Sequence, residues 1–305
     1  MNKSQPELQL VITGASGFIG SALVTQLLAD GNRIVALSRT PAVLRKRFPA
    51  LEVVDSLDQI SADRHIDAII NLAGAPILDA RWSEKRKALL RNSRLHTTEA
   101  VVRLIQRLER RPEVLISGSA IGFYGSHDSD RVLLEQDDGH SGFTHELCRD
   151  WEQTAQRAEA LGVRVCLLRT GVVLGAGGAL ARMLLPFRLG LGGPIGNGRQ
   201  WMSWIHLDDM VALIRFLLVQ QVLAGVFNAT APEPVTNTVF TRTLGRVLKR
   251  PTVLPMPAWV LRLALGEGAT LLTEGQRVIP GRVREAGFAF QYPALEGALA
   301  AILKT

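Results

Sequence analysis

The stretch Leu8-Gln-Leu-Val-Ile-Thr-Gly-Ala-Ser-Gly-Phe-Ile-Gly20 decides the fold. Its first half is an apolar run of strand length, and that run ends at three glycines spaced three residues apart. A helical pattern begins there, with Ile19, Leu23 and Leu27 on one face. A strand, a glycine turn and a helix in this order predict the start of a nucleotide-binding βαβ unit.

Each glycine of the turn has its own physical role. Gly14 permits the tight bend, Gly17 lets the backbone approach a pyrophosphate, and Gly20 lets the helix lie close to the strand. The N-terminus of the helix then presents free N–H groups and the positive end of its dipole to the phosphates. An ordinary glycine turn can carry the same spacing, but the strand before it and the helix after it favour cofactor binding.

The rest of the chain divides into two parts with different sequence patterns. Apolar runs alternate with helical patterns up to residue 170, which predicts an α/β fold with a Rossmann-type, doubly wound parallel sheet. Beyond residue 170, glycines and prolines separate short elements. We predict a cofactor-binding Rossmann domain over residues 1–170 and a smaller mixed C-terminal lobe over residues 171–305, interleaved with the first and shaping the substrate pocket. Further strands are expected at 33–39, 52–55, 67–71, 114–119 and 163–169, and a long helix at about 83–109.

The end of the second predicted strand distinguishes the two nicotinamide cofactors. An acidic side chain there holds the ribose 2′-hydroxyl of NAD, whereas an arginine accommodates the 2′-phosphate of NADP. Here the strand ends in Ser38 and Arg39, and three more basic residues follow at 45–47. A hydroxyl and a guanidinium suit a phosphate, although an arginine after a strand is also an ordinary surface residue. The sequence therefore favours NADP over NAD.

The bulk composition restricts the classes of partner. The formal charge is +7, but no run of five or more basic residues is interleaved with aromatic ones, so we expect no nucleic acid as partner. No segment approaches the roughly 20 apolar residues of a membrane span, and we expect no membrane partner. Cys148 and Cys166 form neither a disulfide pattern nor a metal-ligand pattern, which predicts a cytoplasmic protein without a metal. A homodimer is one arrangement that the sequence allows.

Four stretches together resemble the extended short-chain dehydrogenase/reductases, the superfamily that includes the nucleotide-sugar epimerases. They are the glycine turn at 13–20, Asn71-Leu-Ala-Gly74, Ser117-Gly-Ser119 leading to Tyr124-Gly125, and Arg169-Thr-Gly-Val-Val-Leu-Gly175. The chain is similar nearly end to end to the atypical, epimerase-like branch called the YfcH-type family, most specifically at residues 185–196, 204–206 and 275–280. The resemblance implies NADP as cofactor. It implies contacts from Gly14, Ser16, Gly17, Phe18, Ile19, Ser38, Arg39, Leu72, Ala73, Gly74, Arg94 and Val172. From composition alone, Arg94 is as readily a solvated helix arginine.

One departure from the family pattern concerns the catalytic pair. Typical members carry Tyr-x-x-x-Lys on the helix after the fifth strand, where the lysine lowers the pKa of the tyrosine so that it acts as a general base. When Glu152 is aligned with the acidic residue that usually follows the lysine, Thr144 falls on the tyrosine and Cys148 on the lysine. Neither residue type can perform the usual task. Ser119 does fall near the serine that orients the substrate hydroxyl.

Several side chains are candidates for the missing base. His145 lies beside the vacant position and titrates in the right range, but an ordinary surface histidine fits the same pattern. His206 follows a strand-like segment and precedes Asp208-Asp209, the predicted N-cap of a helix. Cys148 is more simply a small buried residue. The substitutes considered are Tyr124, His145, Glu146, Cys148 and His206, of which Tyr124, His145 and His206 join Ser119 as catalytic candidates.

Two functional hypotheses follow. The first is an NADP-dependent oxidoreductase or epimerase that acts on a small, anionic or nucleotide-sugar-like substrate, with Ser119 and an unconventional base managing the proton. Arg188, Arg199 and Arg282 are candidates for binding a substrate phosphate, although each is as readily a surface arginine. The missing Tyr and Lys support the second hypothesis, an NADP-binding redox sensor or scaffold without turnover. Fold and superfamily alone do not decide between them.

Overall fold

The structure, a computed structural model, describes residues 7–127 and 130–304. Strands and helices alternate through its first half, as the sequence predicts. The strands in these residues are β1 (Gln9–Thr13), β2 (Arg33–Leu37), β3 (Glu52–Val54), β4 (Ala68–Asn71), β5 (Val114–Ala120), β6 (Val132–Leu133), β7 (Arg164–Thr170), β8 (Val172–Leu174), β9 (Trp201–Met202), β10 (Trp204–His206), β11 (Gly225–Ala229), β12 (Val235–Thr236) and β13 (Arg277–Val278). The α-helices are α1 (Phe18–Ala29), α2 (Pro41–Arg47), α3 (Glu84–Arg107), α4 (Phe143–Gln156), α5 (Gly178–Arg188), α6 (Leu207–Val219), α7 (Asn237–Leu248), α8 (Ala258–Leu265), α9 (Thr270–Thr273), α10 (Gly281–Glu285) and α11 (Leu295–Lys304).

Seven parallel strands form the central sheet in the order β11-β7-β5-β4-β1-β2-β3. Strand β1 lies between β2 and β4, with Val11 opposite Val35 on one side and Ile69 on the other. The order runs outward from β1 in both directions, which is the doubly wound arrangement of the Rossmann fold. The predicted fold class is confirmed.

Helices cover both faces of the sheet because successive strand residues point to opposite sides. Leu10 and Ile12 belong to a core that includes Leu23 of α1. Val11, between them, belongs to the opposite core together with Val101 of α3. Both faces of β1 are therefore apolar, as expected for a strand in the middle of a parallel sheet.

The long helix α3 begins and ends close to where the sequence predicts it. The Ser83 hydroxyl accepts a hydrogen bond from the N–H of Arg86, which caps the helix N-terminus. Glu84 in the first turn and Arg107 in the last turn match the helix dipole. The helix holds Arg94 and Thr98 near the loop that follows β4.

The C-terminal part of the chain forms two small sheets, β8 with β10 and β9 with β12, and its β13 pairs with β6 in a third. It also has a separate apolar cluster around Trp204, Phe187 and Phe240. The central sheet takes one strand, β11, from beyond residue 170, so the two parts of the chain are interleaved. The division at residue 170 stays a prediction. Across the described ranges, no helix has both the length and the apolar character needed to cross a membrane.

Candidate cofactor and active site

The strand order reverses between β1 and β4. Open α/β sheets bind their ligands at such a reversal, outside the carboxyl ends of the strands, and we call this region the crevice. Thr13 ends β1 and Asn71 ends β4, opposite each other in the register. The Thr13 hydroxyl donates to Asn71 Oδ1 at 2.7 Å and accepts from the N–H of Ala73 at 3.2 Å. These contacts join the loops after the two strands, which carry the predicted cofactor residues.

The glycine turn leaves no room for side chains. Gly14 has φ of +75°, and a Cβ there would lie 2.7 Å from the Leu72 carbonyl oxygen. A Cβ on Gly20 would lie 2.1 Å from the Gly14 oxygen. Gly17 caps α1 without a side-chain hydrogen bond, so the first-turn N–H groups are open to a ligand. This cradle fits a dinucleotide pyrophosphate.

Phe18 links the glycine turn to the C-terminal part of the chain. Its ring lies against the glycine-rich loop after β8, where a Cβ on Gly175 would be 2.8 Å and one on Gly178 2.9 Å from ring atoms. Strand β8 begins at Val172, a predicted cofactor residue. The contact therefore brings the loop after β8 against the first residue of α1, although the two are remote in sequence.

Ser38 and Arg39 follow β2, next to β1. Ser38 is buried, and its hydroxyl accepts from the N–H of Thr40 at 3.2 Å. Arg39 is exposed, and within the described residues no hydrogen bond or ion pair engages its guanidinium. Arg39 is thus available to an anionic ligand at the end of β2.

Arg94 does not extend into solvent as an ordinary helix arginine would. Its guanidinium donates to the carbonyls of Leu90 at 2.9 Å and Ala75 at 3.2 Å. It lies over the Trp151 ring, 5.2 Å from the centroid, and a Cβ on Gly74 would lie 3.0 Å from its Cζ. Burial lowers the pKa of Arg94. The side chain supports the loop at Gly74, so the structure places it at the crevice.

Ser119 lies in β5, next to β4, and its hydroxyl donates to Glu152 Oε1 at 2.6 Å. Arg169 at the end of β7 holds both oxygens of the same carboxylate, at 2.9 and 3.0 Å. All three side chains are buried. Burial lowers the pKa of Arg169, but the hydrogen bonds and charge of Glu152 outweigh it and raise that pKa above its ordinary value.

Tyr124 lies inside this network and not at its surface. The Tyr124 hydroxyl is 2.7 Å from Asn228 Oδ1 and accepts from Arg169 at 3.2 Å. The side chain is fully buried, and burial raises its pKa to about 12. A phenol in this setting keeps its proton at neutral pH, so the geometry favours a positioning role for Tyr124 over its predicted role as base.

Thr144 and Cys148 of α4 occupy the positions that the alignment gives to the family's Tyr and Lys, and they face the backbone after β5. A Cβ on Gly122 would lie 3.2 Å from Thr144 Cβ and 3.8 Å from Cys148 Sγ. Burial raises the pKa of the Cys148 thiol to about 12. The interpretation of Cys148 as a small buried residue agrees with this environment. His145 is half-buried, and its Nδ1 contacts the Phe123 carbonyl.

His206 forms the helix N-cap that the sequence predicts at its neighbours, residues 208–209. Its Nδ1 accepts from the N–H of Asp208 at 3.1 Å, so His206 is the N-cap of α6 and the predicted cap at residues 208–209 is wrong. Asp209 instead accepts from the N–H groups of Gln291 and Tyr292. The His206 ring is buried against the Tyr292 ring, with centroids 3.8 Å apart. Burial lowers the pKa of His206.

The three arginines predicted to bind a substrate phosphate do not form one site. Arg282 donates to the carbonyls of Val226 and Ala224, at the amino end of β11. That edge of the sheet is opposite the carboxyl ends, and the prediction for Arg282 is therefore wrong. Arg188 and Arg199 are exposed.

Sequence reasoning missed the buried pair of Glu152 and Arg169. It used Glu152 only to align α4, and Arg169 only as part of a family segment. A signal was present. Glu152 follows Trp151 and comes four residues after Cys148 on the apolar face of its helix, and Arg169 directly follows the four apolar residues 165–168 of its strand. Charged residues at apolar positions of two elements predict a buried ion pair between them.

Comparison with known proteins decides the family. The model of the NAD dependent epimerase/dehydratase family matches residues 10–229. The chain belongs to this family. A second model, for a domain of unknown function called DUF1731, matches residues 256–302.

Individual members of the epimerase family match along nearly the whole chain. The Arabidopsis thaliana epimerase family protein SDR39U1 homolog is 43% identical over 311 residues, which cover 99% of this chain and 89% of the relative. The crystal structure of human SDR39U1 isoform 2 with NADPH is 34% identical with a TM-score of 0.89, over 98% of this chain and all of that one. A nucleoside-diphosphate sugar epimerase from Corynebacterium glutamicum is 29% identical with a TM-score of 0.79; the match covers 98% of this chain but 58% of that protein. These matches support the atypical, epimerase-like branch of the extended short-chain dehydrogenase/reductases.

Proposed function

We propose that this chain is an NADP(H)-dependent oxidoreductase or epimerase that acts on a hydroxyl group of a small molecule of the nucleotide-sugar class. The observation that carries the proposal is the buried hydrogen bond from Ser119 to Glu152, held by Arg169 beside the cofactor crevice. The glycine cradle and the relative determined with NADPH support a nicotinamide dinucleotide. The unpaired Arg39 supports NADP over NAD. The family relative named for nucleoside-diphosphate sugars supports the substrate class.

Side chains of this protein would accept and return the proton of the substrate hydroxyl. The Ser119 hydroxyl donates to Glu152, and a hydroxyl oxygen also accepts, so a substrate hydroxyl would donate to the Ser119 oxygen. When that hydroxyl is oxidised, its proton passes to Ser119 while Ser119 passes its own proton to Glu152, and the reverse returns it. NADP, when bound, supplies the hydride acceptor. Arg169 holds the Glu152 carboxylate in position through two hydrogen bonds. A carboxylate is a weaker base than a tyrosinate, so slow turnover is expected.

A second candidate function is an NADP(H)-binding sensor or scaffold without turnover. The raised pKa values of Tyr124 and Cys148, both about 12, favour it, because neither group exchanges protons at neutral pH. The two free, buried cysteines support a reducing, cytoplasmic setting for either function.

Hydride exchange distinguishes the two functions. The protein is incubated with NADPH deuterated at the transferable position, unlabelled NADP and a panel of nucleotide sugars, and the label is followed by mass spectrometry. The enzyme hypothesis expects label to move between cofactor pools through one of the sugars, and faster with NADPH than with NADH. Tight NADPH binding with no transfer to any member of the panel would support the sensor.

A further inference from the structure

One face of the C-terminal part exposes an unusual set of large apolar side chains. They lie on the second half of α5 and the loop after it, and on the segment that leads into and forms α8. Their exposed fractions lie between 42% and 76%. We call this set the α5–α8 face; its members are Leu185, Leu189, Leu191, Val253, Leu254, Met256, Trp259 and Leu263.

Backbone contacts make these two segments one surface. The N–H of Met256 donates to the Pro194 carbonyl at 2.8 Å, and the N–H of Gly196 donates to the Met256 carbonyl at 2.9 Å. Nearby, Arg250 Nε donates to the carbonyl of Arg188 at 2.9 Å. The loop after α5 and the segment before α8 thus run side by side, and their apolar side chains belong to one face.

Helix α8 lies on the protein without a buried residue of its own. Trp259 and Leu263 are four residues apart, so they are neighbours on one side of the helix. Both are about two-thirds exposed, at 67% and 69%. Apolar patches of this kind mark binding surfaces in soluble proteins.

The two chain segments that form the α5–α8 face carry basic side chains. Residues 175–200 and 237–265 contain basic side chains and no aspartate or glutamate. Arg182 pairs with Asp79 and Arg246 with Glu296. The others have no ion-pair partner within residues 7–127 and 130–304. These unpaired cations are Arg188, Arg199, Arg242, Lys249, Arg250 and Arg262.

This combination identifies the kind of partner. A second copy of the chain, docked through the same face, would bring two sets of unpaired cations together. A nucleic acid would neutralise the cations but leave the apolar side chains in water. An anionic lipid bilayer satisfies both, because it accepts apolar side chains without a complementary pocket, suits tryptophan at its interface and attracts arginine and lysine.

We propose that the α5–α8 face binds the surface of an anionic lipid bilayer, with Trp259 and Leu263 entering the headgroup region. The sequence-based expectation of no membrane partner concerned spanning segments, and a helix that lies in the interface needs no such length. This inference does not depend on the proposed function.

Vesicle binding tests the inference directly. The full chain is mixed with vesicles of phosphatidylcholine alone or of equimolar phosphatidylcholine and phosphatidylglycerol, and bound protein is measured by flotation. We expect binding to the anionic vesicles that weakens with added salt, and much weaker binding to the neutral ones. The double substitution Trp259→Ser and Leu263→Ser should lower the affinity at least about tenfold. Replacing Arg188 and Arg262 by glutamine should also lower it.

Matched controls are available elsewhere on the surface. Val43 and Val222 are exposed at 68% and 87% but lie outside the face, so Val43→Ser with Val222→Ser should leave vesicle binding unchanged. NADPH binding by each variant checks that it is folded. Failure of the wild-type protein to float with anionic vesicles would overturn the inference and leave the face to a protein partner. Equal loss of binding in the control pair would overturn it as well.

Discussion

The Ser119 hydroxyl donates a 2.6 Å hydrogen bond to the Glu152 carboxylate, although the two residues are 33 positions apart in sequence. Strand β5 carries the serine and helix α4 carries the glutamate. Arg169 binds the carboxylate from β7, so three elements meet at one buried charge pair. Under the proposed function, Ser119 would therefore relay the substrate proton to a carboxylate.

Replacement of Glu152 by glutamine should strongly destabilise the protein. The change leaves the Arg169 guanidinium buried without its counter-charge, and breaking a buried pair in this way costs about 3–5 kcal/mol. The free energy of unfolding, measured by urea titration, checks the expectation. Glu296→Gln is the control, because its pair with Arg246 is exposed and should contribute less than about 1 kcal/mol. A similar, small effect of both changes would contradict the importance of burial.

Replacement of Ser119 by alanine should separate chemistry from binding. We expect hydride exchange to fall by roughly a hundredfold or more, since the relay to Glu152 is lost. NADPH affinity should change little, because the glycine cradle and Arg39 are intact. Single-turnover exchange and a binding titration on the same preparation measure the two effects. Unchanged exchange would remove Ser119 from the mechanism, and Ser126→Ala, at an exposed position, controls for the substitution itself.

Replacement of Arg39 by alanine should remove the preference for NADP. A charge-assisted contact to the 2′-phosphate is worth about 1.5–3 kcal/mol, so NADP binding should weaken by roughly ten- to a hundredfold while NAD binding stays similar. Calorimetric titration with both cofactors checks this. The control is Arg33→Ala, an exposed arginine at the other end of β2 that pairs with Glu7. If the wild-type protein binds NADP and NAD equally, the assignment of Arg39 is wrong.

The two thiols should be unreactive in the folded protein. Burial raises the pKa of Cys148 to about 12 and that of Cys166 to about 11, so almost no thiolate is present at neutral pH. A disulfide reagent such as dithionitrobenzoate should therefore label neither residue under native conditions and both in denaturant. Rapid native labelling at Cys148 would show that the space beside Ser119 is open and that the thiol is a candidate for chemistry.

Stability should fall as the pH decreases below about 6.5. Burial lowers the folded-state pKa of His206 from its ordinary value of 6.5. Between the lowered pKa and 6.5, the ring therefore binds a proton in the unfolded chain but not in the folded protein. His206→Asn keeps a capping oxygen for α6 and should make the pH dependence shallower. Thermal unfolding from pH 5 to 8 measures the slope, with the exposed His96→Asn as control. Burial also lowers the pKa of His127, so part of the slope should persist.

The sequence by itself determined the architecture and the position of the crevice. Gly20 is required by a contact with the Gly14 carbonyl in the same turn, and Gly14 by its φ of +75°, so both requirements are local, although the close approach of Leu72 to Gly14 is a tertiary contact. The alternation of apolar runs and helical patterns specifies a parallel sheet. In a sheet of this kind the ligand site lies at the carboxyl ends of the strands. The predictions for the glycine turn, for helix α3 and for the exposed Arg39 depended only on neighbouring residues.

Only the tertiary structure decided what the polar residues do. Tyr124 meets Asn228 across 104 positions, and Glu152 meets Arg169 from a different element. Nothing in the local sequence distinguishes a tyrosine that serves as base from one whose hydroxyl is buried and fully bonded. The same holds for His206, which caps a helix, whereas the sequence made it a candidate for the missing base. Burial and partners set the charge and the pKa of such groups, and both arise from packing between residues that are remote in the chain.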